Sequence, residues 1–222
     1  MKKILAILLT ATLLVGLCGC GSNTNTSETD KTAQTETDAE ASEASEASAE
    51  NADTELLSGM HHVEIEVENY GTIAVELDAD HAPISVTNFV NLAKDGFYDG
   101  LTFHRIITGF MIQGGDPNGN GTGGAEETIK GEFSNNGVEN DLSHTRGAIS
   151  MARSQDPDSA SSQFFIVHED STFLDGDYAV FGYVTSGMEY VDQICQDTAV
   201  QDSNGTVNPE DQPIIKEVRV TD

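Results

Sequence analysis

The stretch 103–117, FHRIITGFMIQGGDP, contains two short apolar segments whose pattern predicts paired β-strands joined by a turn at Thr108–Gly109. Arg105 lies in the first segment and Gln113 in the second. These polar residues are unexpected there, because a guanidinium is rarely buried in a protein core unless it is paired. Side-chain alternation places Met111 and Gln113 on one face, and the turn can bring Arg105 beside them. The polar groups therefore either point to water or line a site.

Short strand patterns continue on both sides of this stretch. Residues 63–69, VEIEVEN, alternate apolar and acidic side chains and are predicted to form a hairpin with residues 72–77. Residues 82–96 and 187–197 have helical spacing, the first with a proline in its first turn and a glycine at its end. Because strands and helices do not alternate as βαβ units, the pattern predicts a mainly β protein, a closed or nearly closed antiparallel barrel capped by two α-helices. Further strands are predicted at 147–152, 163–168, 178–184 and 214–220.

The N-terminal residues 1–19 begin with two lysines and continue with an uncharged apolar run. This is the pattern of a secretory signal peptide, since the run of about 13 residues is short for a bilayer span of roughly 20. The run ends in LCGC, residues 17–20, which resembles the lipobox of bacterial lipoproteins and implies cleavage before Cys20 and lipidation of that cysteine. Cys18 fits less well because a leucine precedes it. A transmembrane anchor and an ordinary cleavage site are the alternatives.

Residues 20–58 form an acidic segment rich in Ser, Thr, Ala and Glu, without an aromatic residue. Such a segment cannot bury enough apolar surface to offset its ordering entropy, so we expect a disordered tether. Loss of residues 1–19 takes the net charge from −28 to −30, with 8 basic and 38 acidic residues. Nucleic acid and anionic lipid headgroups are poor partners for such a chain. Residues 59–222 are therefore predicted to form a single folded domain.

Residues typical of metal, phosphate or nucleophilic chemistry occur without the spacing that this chemistry needs. The glycine-rich stretch 114–124 lacks the G-x-x-x-x-G-K-[ST] pattern and is predicted to be a turn-rich surface loop. The six histidines form no H-x-x-x-H pair, so no metal site is expected, and His104 is predicted to be a hydrogen-bonded structural residue. The serines lack the G-x-S-x-G motif of a nucleophile elbow. A catalytic triad built from residues distant in sequence stays an open alternative. Cys195 is predicted to be a small buried hydrophobe.

Five motifs that occur in order connect the chain to a known family. With FHRIITGFMIQGGDP, GTGG, ISMARS, SSQFFI and FLDGDYAVFGYV, residues 61–221 resemble the cyclophilin family of peptidyl-prolyl cis–trans isomerases. The resemblance implies a closed eight-stranded antiparallel β-barrel capped by two α-helices, in agreement with the strand pattern. It also implies action on X–Pro bonds of proline-containing peptide segments, with no cofactor and no metal.

The same resemblance assigns the site residues. Arg105 matches the catalytic arginine, and Gln113 matches the polar residue beside it. Ala152 and the main chain of Arg153 match the place of the residue before proline, and His104 lies near the site. The apolar pocket for the proline ring is matched by Phe110, Met111, Phe165 and Leu174.

Three predicted substrate-binding residues depart from the family pattern. Phe173 replaces a tryptophan, Tyr178 replaces a histidine at the pocket edge, and Arg153 replaces an asparagine. The first change puts cyclosporin affinity in doubt more than catalysis, because the indole N–H is a contact of that ligand in the family. A tyrosine still supplies an aromatic wall and a hydroxyl at position 178.

The chemistry implied by the resemblance needs no nucleophile. An X–Pro bond rotates over a barrier of about 18–20 kcal/mol that amide resonance sets, and no bond breaks. A fixed guanidinium such as Arg105 lowers this barrier if it donates to the proline nitrogen or the neighbouring carbonyl as the amide twists. We therefore expect a monomeric bacterial isomerase, lipid-anchored outside the cell membrane through Cys20, that assists the folding of exported proteins. The alternatives are a proline-peptide binding or surface-interaction module with incidental turnover, and a hydrolase with an unrecognised triad.

Overall fold

The computed structural model describes residues 55–222. Within them the chain forms eight strands and two α-helices, and the predicted elements are all present with bounds shifted by a few residues. The strands are β1 Met60–Val67, β2 Gly71–Asp78, β3 Phe103–Ile107, β4 Met111–Gly114, β5 Ala148–Met151, β6 Phe164–Val167, β7 Val180–Ser186 and β8 Ile215–Val220, and the helices are α1 Pro83–Lys94 and α2 Met188–Asp197.

All eight strands belong to one curled antiparallel sheet with the order β3-β4-β6-β5-β7-β2-β1-β8. The two edge strands meet at a bridge between Thr102 and Ile214, where the Phe103 amide donates to the Pro213 carbonyl at 2.9 Å. The prediction of an eight-stranded antiparallel barrel with two helices is confirmed. The two edges join over this short stretch rather than along full strands.

The barrel interior is filled by the apolar side chains that alternate along the strands, as the period of two predicts. The core also receives α1, whose Phe89 ring packs edge-on against Phe164 with centroids 5.3 Å apart. Cys195 of α2 is buried in the same core, which confirms its predicted role, and burial raises the pKa of its thiol to about 11. The inward residues of β1 and β2 are Val63, Ile65, Val67, Ile73, Val75 and Leu77, each at most 2% exposed.

The N-terminus of α1 is anchored by a buried carboxylate. The first amides of a helix have no partner within the helix, and the helix dipole favours a negative charge there. Glu132 accepts hydrogen bonds from the Ile84 amide at 2.9 Å, the Ser85 amide at 2.7 Å and the Ser85 hydroxyl at 2.6 Å. This carboxylate ties the loop before β5 to the helix that caps the barrel.

The predicted signal peptide, the lipidation site Cys20 and most of the predicted tether lie outside the described residues. Between residues 55 and 222, no helix has the length and apolar character that a membrane span requires. The structure adds three short 3-10 turns that the sequence pattern did not predict, at Ser134–Asn136, Thr172–Leu174 and Pro209–Asp211.

Replacing Glu132 with glutamine is expected to lower the free energy of unfolding by about 1–3 kcal/mol, because an amide accepts through one oxygen and leaves a buried α1 donor without a partner. Urea unfolding followed by circular dichroism measures the change. Glu139→Gln makes the same substitution at an exposed position and should change stability by less than about 0.5 kcal/mol. Equal losses in the two variants would contradict the anchoring role.

Candidate functional site

A cross-strand pair in the β3–β4 hairpin forms the centre of the site. Arg105 lies directly opposite Gln113, and its Nη1 donates to Gln113 Oε1 at 3.1 Å. Its Nε donates to the Asn204 carbonyl at 2.8 Å. Burial lowers the pKa of Arg105, but a guanidinium still keeps its proton throughout the physiological range. A strand residue and a loop carbonyl, both neutral acceptors, therefore fix this charged donor.

A β-bulge at the start of the hairpin explains why His104 and Arg105, adjacent in sequence, both face the site. Phe103 pairs with Gly114 and Arg105 pairs with Gln113, so β3 has one extra residue in this interval. Without the bulge, alternation would place the two side chains on opposite faces of the sheet. Both instead line the same cavity.

The outer face of the sheet supplies an apolar floor beside Arg105. Gln113 pairs with Phe165 on β6, and Met111 pairs with Val167, while Ile112 between them points into the barrel core. Met111 and Phe165 are buried, in a small apolar cluster separate from the barrel interior. A polar donor thus stands directly next to an apolar surface.

These residues line a cavity of about 600 Å³. It brings together all but one of the predicted catalytic and substrate-binding residues, namely His104, Arg105, Phe110, Met111, Gln113, Ala152, Arg153, Phe165, Leu174 and Tyr178. Sequence reasoning missed its other lining residues, which come from two loops, namely Gly119, Asn120, Gly121, Gln201, Asn204, Thr206, Val207 and Pro209. The glycine-rich stretch 114–124, predicted to be a surface loop, therefore forms part of the cavity wall.

Phe173 is the predicted residue that does not line the cavity. It lies in the 3-10 turn Thr172–Leu174 and is 73% exposed. Its ring contacts Phe110, with centroids 5.6 Å apart. The residue extends the apolar rim outward rather than forming the pocket itself.

One wall consists of Tyr178 and Arg153. The Tyr178 ring stands edge-on to Phe165, with centroids 6.0 Å apart. The Arg153 guanidinium carbon lies 4.6 Å from the Tyr178 ring centroid and 5.0 Å from that of Phe133, which are cation–π distances. This wall carries the second arginine of the cavity.

His104 contradicts its prediction as a hydrogen-bonded structural residue. It is 4% exposed, and neither ring nitrogen has a hydrogen-bond partner in the described part of the chain. The neighbouring carboxylate of Asp116 binds the amides of Asn118, Asn120 and Gly121 instead. Burial lowers the pKa of His104, Asp116 opposes this shift, and Arg105 adds to it. The two ring nitrogens of His104 therefore lie buried and unpartnered next to the cavity.

A hydrogen-bonded chain that the sequence did not reveal supports the floor from behind. His144 stacks on Phe165 at 5.9 Å, and its ring binds Asp175 at 2.7 Å and the Ser150 hydroxyl at 3.1 Å. The chain has the Asp–His–Ser order of a hydrolase triad, but Ser150 is fully buried and a substrate cannot reach it. These residues position Phe165. Burial lowers the pKa of His144, and Asp175 opposes the shift.

The cavity combines a fixed hydrogen-bond donor with an apolar floor. The cavity lining contains no acidic side chain, and no group of three potential ligands that could hold a metal ion occurs within residues 55–222. A fixed donor beside an apolar floor matches a planar polar group attached to an apolar ring. The cavity can therefore bind such a group and donate a hydrogen bond to it.

Comparisons with known proteins agree with this geometry. The family model described as cyclophilin type peptidyl-prolyl cis-trans isomerase/CLD matches residues 62–220. Peptidyl-prolyl cis-trans isomerase B of Bacillus subtilis is 47% identical over 154 residues, which cover 69% of this chain and 94% of that protein. A peptidyl-prolyl cis-trans isomerase of Helicobacter pylori is 47% identical over 135 residues, covering 60% of this chain and 80% of its own.

A solved structure is similar as well. It is the cyclophilin type peptidyl-prolyl cis-trans isomerase of Cryptosporidium parvum, crystallised in the presence of the dipeptide Ala-Pro. The two structures superpose with a TM-score of 0.64 at 32% sequence identity, covering 72% of this chain and 99% of that one.

The imidazole of His104 is expected to titrate below the ordinary pKa of about 6.5, whereas that of His62, which hydrogen-bonds Asp222, should titrate above it. Because the unfolded chain takes up the His104 proton first, this residue reduces stability as the pH falls below about 6.5. An NMR pH titration, with the signals assigned through His104→Gln and His62→Gln, measures both pKa values. A higher pKa for His104 than for His62 would refute the expectation.

Proposed function

Because the chain belongs to the family of cyclophilin-type peptidyl-prolyl cis–trans isomerases, we propose that the X–Pro bonds of its peptide substrates twist in the cavity beside Arg105 and that this arginine stabilises the twisted state. One observation carries the proposal. Two neutral acceptors, Gln113 Oε1 and the Asn204 carbonyl, hold the guanidinium next to the apolar floor.

The floor accounts for substrate binding. Met111 and Phe165 are buried, and Phe110 and Leu174 pack against the same cluster, so a proline ring finds an apolar surface with little rearrangement. The presence of Ala-Pro with the Cryptosporidium protein supports the same class of ligand here. Binding of the ring alone stabilises the planar and the twisted amide equally and does not accelerate rotation.

The guanidinium accounts for the acceleration. As the amide twists, resonance is lost and the nitrogen lone pair becomes localised, so the nitrogen becomes a better hydrogen-bond acceptor. Arg105 is fixed before the substrate arrives, and an N–H donated to that nitrogen or to the neighbouring carbonyl strengthens only along the rotation coordinate. Gln113 orients the fork of the guanidinium. No covalent intermediate or proton transfer takes part.

The N-terminal sequence supports a proposal for the place of action. We propose that Cys20 carries a lipid anchor outside the cell membrane and that the acidic segment 20–58 separates the domain from the bilayer. For about 38 residues a flexible chain extends roughly 35 Å, and like charges lengthen it. A monomeric isomerase held at this distance meets exported proteins as they fold. The high negative charge keeps it from anionic headgroups.

Arg105→Ala is expected to lower kcat/KM for an Ala-Pro peptide by about 10²- to 10³-fold, the usual loss when one preorganised donor is removed. Arg105→Lys should retain the charge but lose most of the activity, because an ammonium lacks the planar fork. The rate of cis-to-trans conversion measures both.

Arg219→Gln provides the matched control, because Arg219 lies on β8 outside the cavity. Its activity should equal that of the unmodified protein, and circular dichroism should show that all variants are folded. An Arg105→Ala protein with the full rate would refute the assigned mechanism.

Cys20→Ser is expected to move the protein from the membrane fraction to the soluble extracytoplasmic fraction and to abolish labelling by a radioactive fatty acid. The reason is that the acyl chains on Cys20 attach the protein to the membrane. Cys18→Ser is the matched control and should stay labelled and membrane-bound. Labelling lost only in Cys18→Ser would instead identify that cysteine as the anchor.

A further inference from the structure

Positive charge is concentrated at the site of a strongly acidic protein. The chain has 38 acidic and 10 basic residues, yet the main cavity is lined by Arg105 and Arg153 and by no acidic side chain. A second cavity of about 350 Å³ shares Gln113, Gly121, Ala152 and Arg153 with the first, and its lining is also free of acidic side chains. Arg153 therefore stands where the two cavities meet.

Arg153 is held rigidly without being neutralised. Its Nε donates to the Asp177 carbonyl at 2.9 Å, and its Nη1 donates to the Ser154 carbonyl at 2.8 Å. The Phe133 and Tyr178 rings contact the guanidinium plane. Nη2 has no partner within residues 55–222. A pre-oriented guanidinium loses little entropy when it binds a carboxylate.

The carboxylates of the surrounding loops bind other groups. Asp158 accepts from the Gly131 amide and the Asn136 side chain, and Asp177 accepts from the Asn135 side chain. Asp202 likewise accepts from loop groups at Asn204 and Thr206.

Arg153 is absent from the ion pairs of the described domain, whereas three other basic side chains form such pairs, namely Arg146, Lys216 and Arg219. The charge of Arg153 is thus available to a ligand.

The position of Arg153 indicates which part of a peptide meets this charge. The resemblance to the cyclophilin family implies that Ala152 and the main chain of Arg153 hold the residue before proline. The second cavity continues from these residues past Ser154, Ser159 and Gln163. A carboxylate at this junction would receive charge-assisted hydrogen bonds. The rest of the protein surface, with its excess of acidic groups, repels such a peptide, so the preference has to arise locally.

We propose that Arg153 is a specificity-determining residue that selects X–Pro segments with an acidic side chain in one of the two residues before proline. The inference rests on the proposed isomerase function and adds its substrate class. Glutamate should be favoured over glutamine by about three- to fivefold in kcat/KM, the size of a partly exposed charge pair.

The test uses two peptide pairs, Ala-Glu-Pro-Phe with Ala-Gln-Pro-Phe and Glu-Ala-Pro-Phe with Gln-Ala-Pro-Phe. Exchange NMR with the full chain gives kcat/KM for each, and the Glu/Gln ratio within a pair is the readout. In Arg153→Gln the ratio should fall to one or below. Arg153→Lys should keep part of it, and Arg219→Gln, which removes the same charge elsewhere, should keep all of it.

In 1 M salt the ratio of the unmodified protein should approach one, because the Debye length shrinks to about 3 Å. A ratio of one in both pairs at low salt, or an equal ratio in Arg153→Gln, overturns the inference while leaving the isomerase function standing. An unmodified protein that accelerates none of the four peptides overturns the isomerase function and this inference together.

Discussion

The site depends on one constraint. A guanidinium must stay fixed against an apolar surface without an acidic partner that neutralises its charge. Arg105 satisfies it with neutral acceptors, Gln113 Oε1 and the Asn204 carbonyl. A carboxylate would hold the side chain more strongly, but it would also cancel the positive field and compete with a substrate for the N–H groups. Neutral acceptors restrict the rotamers of Arg105 and leave its field directed at the cavity. Much of the surrounding structure serves to bring these two acceptors to one place.

One acceptor is close to Arg105 in sequence and the other is distant. Gln113 is supplied locally, because the β3–β4 register sets it opposite Arg105. Asn204 comes from a loop 99 residues further along the chain, fixed where the Ile106 amide donates to the Gly205 carbonyl at 2.8 Å. A second bond joins the Val207 amide to the carbonyl of His104 at 3.1 Å. The same bonds cover the free edge of β3, which would otherwise offer unpaired backbone groups to other chains. Edge protection and positioning of the arginine thus share one set of contacts.

The sequence predicted what local patterns determine and missed what long-range packing determines. Alternation and turn residues predicted the hairpin, the strands and the helices, and the motif resemblance predicted the floor of the cavity. The bulge that turns His104 toward the site leaves no signal in a period of two, and the prediction that this histidine is hydrogen-bonded was wrong because Asp116 binds loop amides. Asn204 and the His144–Asp175 pair were missed for the same reason, since polar residues on distant loops have no pattern until the barrel brings them together.

Where this chain departs from the family pattern, the changed residues lie at the rim of the cavity. Phe173 is exposed beyond Phe110, and Arg153 and Tyr178 form one stacked wall. Under the proposed function, rim side chains would contact parts of a peptide that do not change as the amide rotates, and such contacts stabilise the planar and twisted states alike. In the proposed mechanism the guanidinium is different, because its interaction strengthens only with the twist. On this proposal, substitutions at the rim can set substrate choice while Arg105 and the support of its two acceptors stay fixed.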